Sequence, residues 1–247
     1  LDSNGHELAN RTLPFGPCIV GSCKLIEGNF SDALNCYRTD LEEASKMKAN
    51  RFVSLSSKEA KRTLTKDKPI VYLSGFERYD NAAKEKYVAM RSILEKHGFE
   101  VLTPLDKAEG VELIETDDIY AKAYNQFDHY QQHVRNCDII LANISDYQGY
   151  EPNDDVAFEC GMAFQLNKKL FAYMDDTRHM VDRIPTNGAT ELPRDINGLN
   201  VEDFEAPLNL MFAASYRIYD GNFETVVKKM VDELNHPTER LDLIEAL

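Results

Sequence analysis

No stretch of this chain stays apolar for the roughly 18 residues that a membrane span requires, which excludes a membrane-spanning helix. No secretory leader is read before Leu1, and the absence of an initiator Met there reads as a trimmed or processed start. Cysteine is sparse. Cys18, Cys23, Cys36, Cys137 and Cys160 are odd in number and have no C-x-x-C spacing, which argues against a disulfide frame and a zinc site. Buried thiols in a reducing cytoplasm are the expectation. Basic charge is also short: 28 Lys and Arg stand against 42 Asp and Glu, leaving a net charge of −14. Binding to a nucleic acid polymer needs a basic face, which argues against that class, whereas a neutral small molecule is not repelled. The loop YLSGF at 72–76 lacks the G-x-x-x-x-G-K phosphate cradle and has one glycine.

What is present is an alternation of strands and helices. Residues 70–73 read as a short buried strand ending at Ser74-Gly75. A helix follows over 81–98, with Ala83, Tyr87, Met90, Ile93 and Leu94 on one face and Gly98 as its stop. Residues 99–103 are the next strand, 106–117 an acidic loop and 118–136 a polar helix. His129 and His133 lie four apart on that helix and could hold a metal together, but no third ligand accompanies them, and a solvated face is the preferred reading. The span 138–174 is the centre of the pattern: an apolar strand, a polar loop with Gly149 and Pro152, a helix from about Asp154, and a second apolar strand from Leu170. Such a unit has parallel strands and a right-handed crossover. Residues 175–205 read as a long loop, 217–219 as the last strand and 222–234 as the last helix. The expected fold is α/β, a doubly wound and mainly parallel sheet flanked by helices, of the flavodoxin-like or Rossmann-like three-layer kind. One domain is expected over 68–235, with an N-terminal segment over 1–67 and a polar tail over 236–247. Within that segment 17–25 reads as a strand or buried turn, 31–48 as a helix, and 54–68 as a solvated basic connector.

Glu159 interrupts the apolar stripe of the central helix. Its neighbours three and four residues away include Val156, Met162 and Ala163, so its charge needs specific partners or a pocket. An ionised, positioned carboxylate in an apolar wall suits nucleophilic attack on an oxocarbenium-like sugar carbon. The plainer alternative is an exposed Glu on a first turn.

The segment GYEPNDDVAFECGMAF, preceded by RNCDIILANIS and followed by KKLFAY, resembles the nucleoside 2-deoxyribosyltransferase family, with its pattern G-x-E-P-D-x-G-T-A-F-E-x-G. The resemblance runs from about residue 68 to 234. It implies that Glu159 is the nucleophile and that Tyr72, at the end of the first strand, orients it by a hydrogen bond. A Tyr packed in the core is the alternative for Tyr72. The resemblance further implies substrate contacts from Gly75, Asn153 and Asp155, no cofactor and no metal. FEAPLNLMFAAS resembles the family's P-L-N-L-M helix, in which Asn209 would reach a neighbouring subunit's site and the protein would be a homo-oligomer; a helix cap is the alternative. Two positions depart from the pattern: Asn153 stands where Asp is usual, and Asp155 where Gly is usual. Where the family often has a proton-donating Asp, this chain has Tyr130, with Asp128 the nearest carboxylate, so the proton donor stays unassigned.

The reaction implied is transfer of 2-deoxyribose between nucleobases through a glycosyl-Glu intermediate, with deoxynucleoside and free base as partners. The rivals are a hydrolase of deoxynucleoside 5′-monophosphates, which would meet the acidic Asp154 and Asp155, and a non-catalytic nucleoside sensor.

A repeat joins the two ends. At a constant offset (207 − 14 = 193), Asp2, Asn4, Gly5, Pro14, Ser22, Gly28, Asn29 and Phe30 are identical to Asp195, Asn197, Gly198, Pro207, Ser215, Gly221, Asn222 and Phe223. The expectation is duplication, with residues 1 to about 37 as the closing helix, strand and helix of a preceding unit and 22–28 built like 215–221. Asn209 falls opposite Gly16.

Overall fold

In a computed structural model, residues 15–47, 67–108, 111, 115, 117–188 and 192–236 are described. Residues 54–66 of the expected connector (54–68) and the tail beyond 236 lie outside them, as does the part of the repeat before residue 15. Five strands form one sheet: β1 (Ile70–Ser74), β2 (Glu100–Leu102), β3 (Ile139–Asn143), β4 (Lys169–Met174) and β5 (Arg217–Asp220). Their order is β2-β1-β3-β4-β5, and every pairing is parallel. This is the expected doubly wound sheet, whose strand order reverses between β1 and β3.

Both faces are covered, which is why the central strands read as continuous apolar runs instead of alternating ones. Side chains alternate across the pleat. Ile70, Tyr72, Ile140, Ala142, Leu170 and Ala172 face α4 (Ile119–Asn136) and α5 (Asp154–Gln165), meeting Val134, Val156, Cys160 and Ala163. Val71, Leu73, Ile139, Leu141 and Phe171 face α3 (Ala83–Lys96) and α8 (Phe223–Asn235), meeting Tyr87, Leu94, Val226 and Met230. Among the described residues no helix is long and apolar enough to cross a membrane.

Several expectations need correction. The stretch 17–25 is neither strand nor turn: Pro17–Ser22 is a helix, α1, with Pro17 in its first turn, where a missing N–H costs nothing. It is followed by α2 (Phe30–Met47). The long loop contains a short helix, α6 (Met180–Arg183), and an isolated bridge between Arg194 and Asn200. The apolar P-L-N-L-M segment forms α7 (Leu210–Ser215). The His129–His133 face is buried, not solvated: His133 Nε2 lies 3.2 Å from His129 Nε2 and 3.1 Å from the Asp106 carbonyl oxygen. Of the cysteines, Cys18, Cys137 and Cys160 are buried, but Cys23 is exposed and Cys36 half-buried.

Candidate functional site

The site lies at the carboxyl ends of β1 and β3, the reversal point where open α/β sheets bind ligands. Two sequence features bring its parts together. Tyr72 is an even-register residue of β1 and so points to the α5 side, and α5 starts where Asn153 caps it, its Oδ1 accepting from the Asp155 and Val156 amides at 3.1 and 3.3 Å. Glu159, one and a half turns in, then faces β1.

Glu159 is 0% exposed, which excludes the plainer reading of an exposed first-turn Glu. Its charge is met by four donors. Tyr72 Oη donates to Oε1 at 3.0 Å and Ser74 Oγ donates to Oε2. Arg78 straddles the carboxylate, Nη1 to Oε1 and Nη2 to Oε2, both at 2.8 Å. A carboxylate has about four acceptor positions, so this one is filled. Burial and the Glu159 charge push the Tyr72 phenol well above its ordinary pKa, so it stays a donor. Burial works against the Arg78 charge, but Glu159 beside it prevails and its pKa is raised. Arg78 is itself positioned: Nε donates to the Gly75 carbonyl at 2.9 Å, and its guanidinium lies 4.5 Å from the Tyr130 ring centroid. Tyr130 thus supplies a π face to a cation.

Asp155, also fully buried, accepts from the Cys18 amide at 2.8 Å and from the Tyr79 hydroxyl. Burial raises its pKa. Its neighbour Asp154 accepts from the Gly16 amide at 3.1 Å. Beyond Gly75, Glu77 is a third buried carboxylate, its Oε1 accepting from Asn143 Nδ2 at 2.6 Å and from Tyr173 Oη at 3.1 Å.

Of the residues expected from sequence, Tyr72 and Glu159 meet directly, Gly75 lies one residue past β1, and Asn153 and Asp155 open α5. Asn209 is not among the partners of Glu159: it caps α7, its Oδ1 accepting from the Met211 and Phe212 amides at 3.1 and 3.4 Å. Ser74, Arg78, Tyr79 and Cys18 were missed. For Arg78 the available sign was a charge just past an apolar strand that ends at a glycine.

A family model described as Nucleoside 2-deoxyribosyltransferase matches residues 71–211, more than half of the chain. No curated protein sequence matches. Among solved structures, a 2-desoxiribosyltransferase from Leishmania mexicana is 27% identical with a TM-score of 0.51, over 66% of this chain and 97% of that one. A 2-deoxyribosyltransferase from Bacillus psychrosaccharolyticus is 18% identical, with a TM-score of 0.39 over 64% and 90% of the two chains. A conserved protein from Enterococcus faecalis is 15% identical, at 0.42 over 69% and 99%. The chain belongs to the nucleoside 2-deoxyribosyltransferase family.

Proposed function

We propose that the chain transfers 2-deoxyribose between nucleobases, with Glu159 as the nucleophile. One carboxylate oxygen attacks the anomeric carbon as the carbon–nitrogen bond breaks, its electron pair leaving with the base, which takes up a proton. A nitrogen of the second base then attacks the same carbon and gives up its proton, balancing the one the first base took up; the ester bond breaks and the carboxylate returns. Two inversions give net retention. The observation that carries this reading is the Tyr72 hydroxyl on Glu159 Oε1 at 3.0 Å, which holds a buried carboxylate in one orientation at the ligand-binding end of the sheet. Asn153 commits Oδ1 to its cap, so a substrate contact falls to Nδ2. In the state described both Glu159 oxygens are covered, so attack requires Arg78 to swing aside while Tyr72 keeps its hold.

The same four donors favour one rival, a nucleoside binder without turnover, because a fully paired carboxylate is a poor nucleophile. Incubation with deoxyinosine and adenine separates the two. Deoxyadenosine, and an adduct on Glu159 from a 2-fluoro sugar analogue, are expected for transfer. Nucleoside binding that survives Glu159→Ala, with no exchange by the parent protein, selects the binder.

A further inference from the structure

α1 and α7 are two copies of one short structural unit. Adding 193 places Pro17–Ser22 on Leu210–Ser215 and Phe30, the first residue of α2, on Phe223, the first of α8. Gly16 and Asn209 precede the short helices with φ/ψ of −62/161 and −57/162; Cys23 and Tyr216 follow them at −124/150 and −116/158. Gly28 and Gly221 both have positive φ, 137 and 126. Asn29 and Asn222 then accept from the amides of Asp32 and Thr225, three residues on, at 3.3 and 3.0 Å. The two ends correspond in their short helices, glycines and Asn caps, but the expected strand is absent: 217–220 is strand β5, paired with β4, whereas 24–27 forms no strand, so 22–28 is not built like 215–221.

The two copies are seated differently. In α7, Phe212 packs into the core while Leu210 and Met211 stand 47% and 79% exposed. Their counterparts in α1, Pro17 and Cys18, are buried, Cys18 to 1%, in a cluster with Phe127 of α4 and Tyr130. The face that α7 leaves open is the one α1 uses.

That seat depends on two glycines whose backbones do not need to be glycine. At Gly16, whose φ of −62 suits any residue, a Cβ would stand 2.6 Å from both Asp155 carboxylate oxygens. At Gly21, inside a helix, a Cβ would stand 2.4 Å from Phe127 Cβ. Both distances are well inside van der Waals contact. At the equivalent positions α7 carries Asn209 and Ala214.

We propose that α1 is a docking helix matched to the α4–α5 face of its own unit, covering Asp155 beside Glu159 in cis. The size-complementary pairs Gly16–Asp155 and Gly21–Phe127 keep the otherwise similar α7 of a second copy from seating there. The cover of the site then comes from the same chain.

The test uses the full chain and iodoacetamide, with labelling at each cysteine read by mass spectrometry and exposed Cys23 as the internal reference. Cys18 is expected to label at least about tenfold more slowly than Cys23, because burial limits thiolate access. Gly16→Asn should raise Cys18 labelling about tenfold, and adding Asp155→Gly should bring it back to within about twofold of the parent, a coupling expected only of residues in contact. Gly21→Leu with Phe127→Ala is an independent second pair for which the same rescue is expected. Fast labelling of Cys18 in the parent, or absence of rescue in both pairs, overturns the proposal.

Discussion

Arg78 and Glu159 form a two-pronged ion pair whose side chains are 0% and 1% exposed, so neither charge has water to fall back on. The Coulomb gain and the desolvation cost of such a pair are both large and nearly offset, while removal of one partner leaves the other stranded. Arg78→Met is therefore expected to destabilise the fold by about 3–5 kcal/mol in urea denaturation. Glu159→Gln added to that variant should recover most of the loss. If the double variant is no more stable than Arg78→Met, the pair is not what holds this corner together.

Tyr72→Phe removes one donor from Glu159 but keeps a ring to stack on His133, whose centroid lies 5.5 Å away at 27°. A hydrogen bond to a charged group contributes about 1.5–3 kcal/mol. If that orientation is felt only at the reacting carboxylate, exchange should slow about ten- to hundredfold in kcat/KM with the fold intact. An unchanged kcat/KM would make Tyr72 a core residue only.

The fold was legible because each central strand is an uninterrupted apolar run and each helix carries its own boundary residue: Asp118 and Asn153 as caps, Gly98 as a stop. The pairing of Tyr72 with Glu159 was legible only through the family pattern. Arg78 was not, because a charge past a strand end is usually solvated, and its burial depends on the tertiary meeting of Glu159 with the Tyr130 ring. The buried His129–His133 face was misread for the same reason: flanking Gln and Arg residues resemble a solvated surface, and nothing local announces that His133 will stack on Tyr72 of β1 and meet the Asp106 carbonyl oxygen. The repeat showed the α1 unit by its glycines and Asn29, but not that 24–27 would lack a strand, since a strand needs a neighbour to complete its ladder.

Stability should fall in mild acid through His133. Burial, with His129 beside it, lowers the His133 pKa from 6.5 to about 3. The unfolded chain takes up a proton near 6.5 that the folded chain refuses, so the stabilisation is whole above about 6.5 and is lost progressively as pH falls toward about 3. The slope from one such group is about 1.4 kcal/mol per pH unit. His133→Phe should flatten the dependence of urea midpoints between pH 6.5 and 4 relative to the parent; curves of equal steepness would assign the acid sensitivity to other groups.

The final prediction concerns the first turn of α5, where Asn153 departs from the family's Asp. Its Oδ1 caps two amides, so Asn153→Ala should cost about 1 kcal/mol, whereas Asn153→Asp offers an equivalent acceptor and an anion suited to a helix N-terminus. The new carboxylate would stand two residues from buried Asp155, whose pKa burial already raises, and would raise it further. A carboxyl with a raised folded pKa contributes stability that is present below its unfolded value near 3.8 and is lost as pH rises through the folded value. Asn153→Asp should therefore be less stable than the parent at pH 7 and regain ground on it as pH is lowered toward the unfolded value near 3.8. Urea midpoints at the two pH values measure this, and a deficit for Asn153→Asp that stays constant between them would show that Asp155 does not feel position 153.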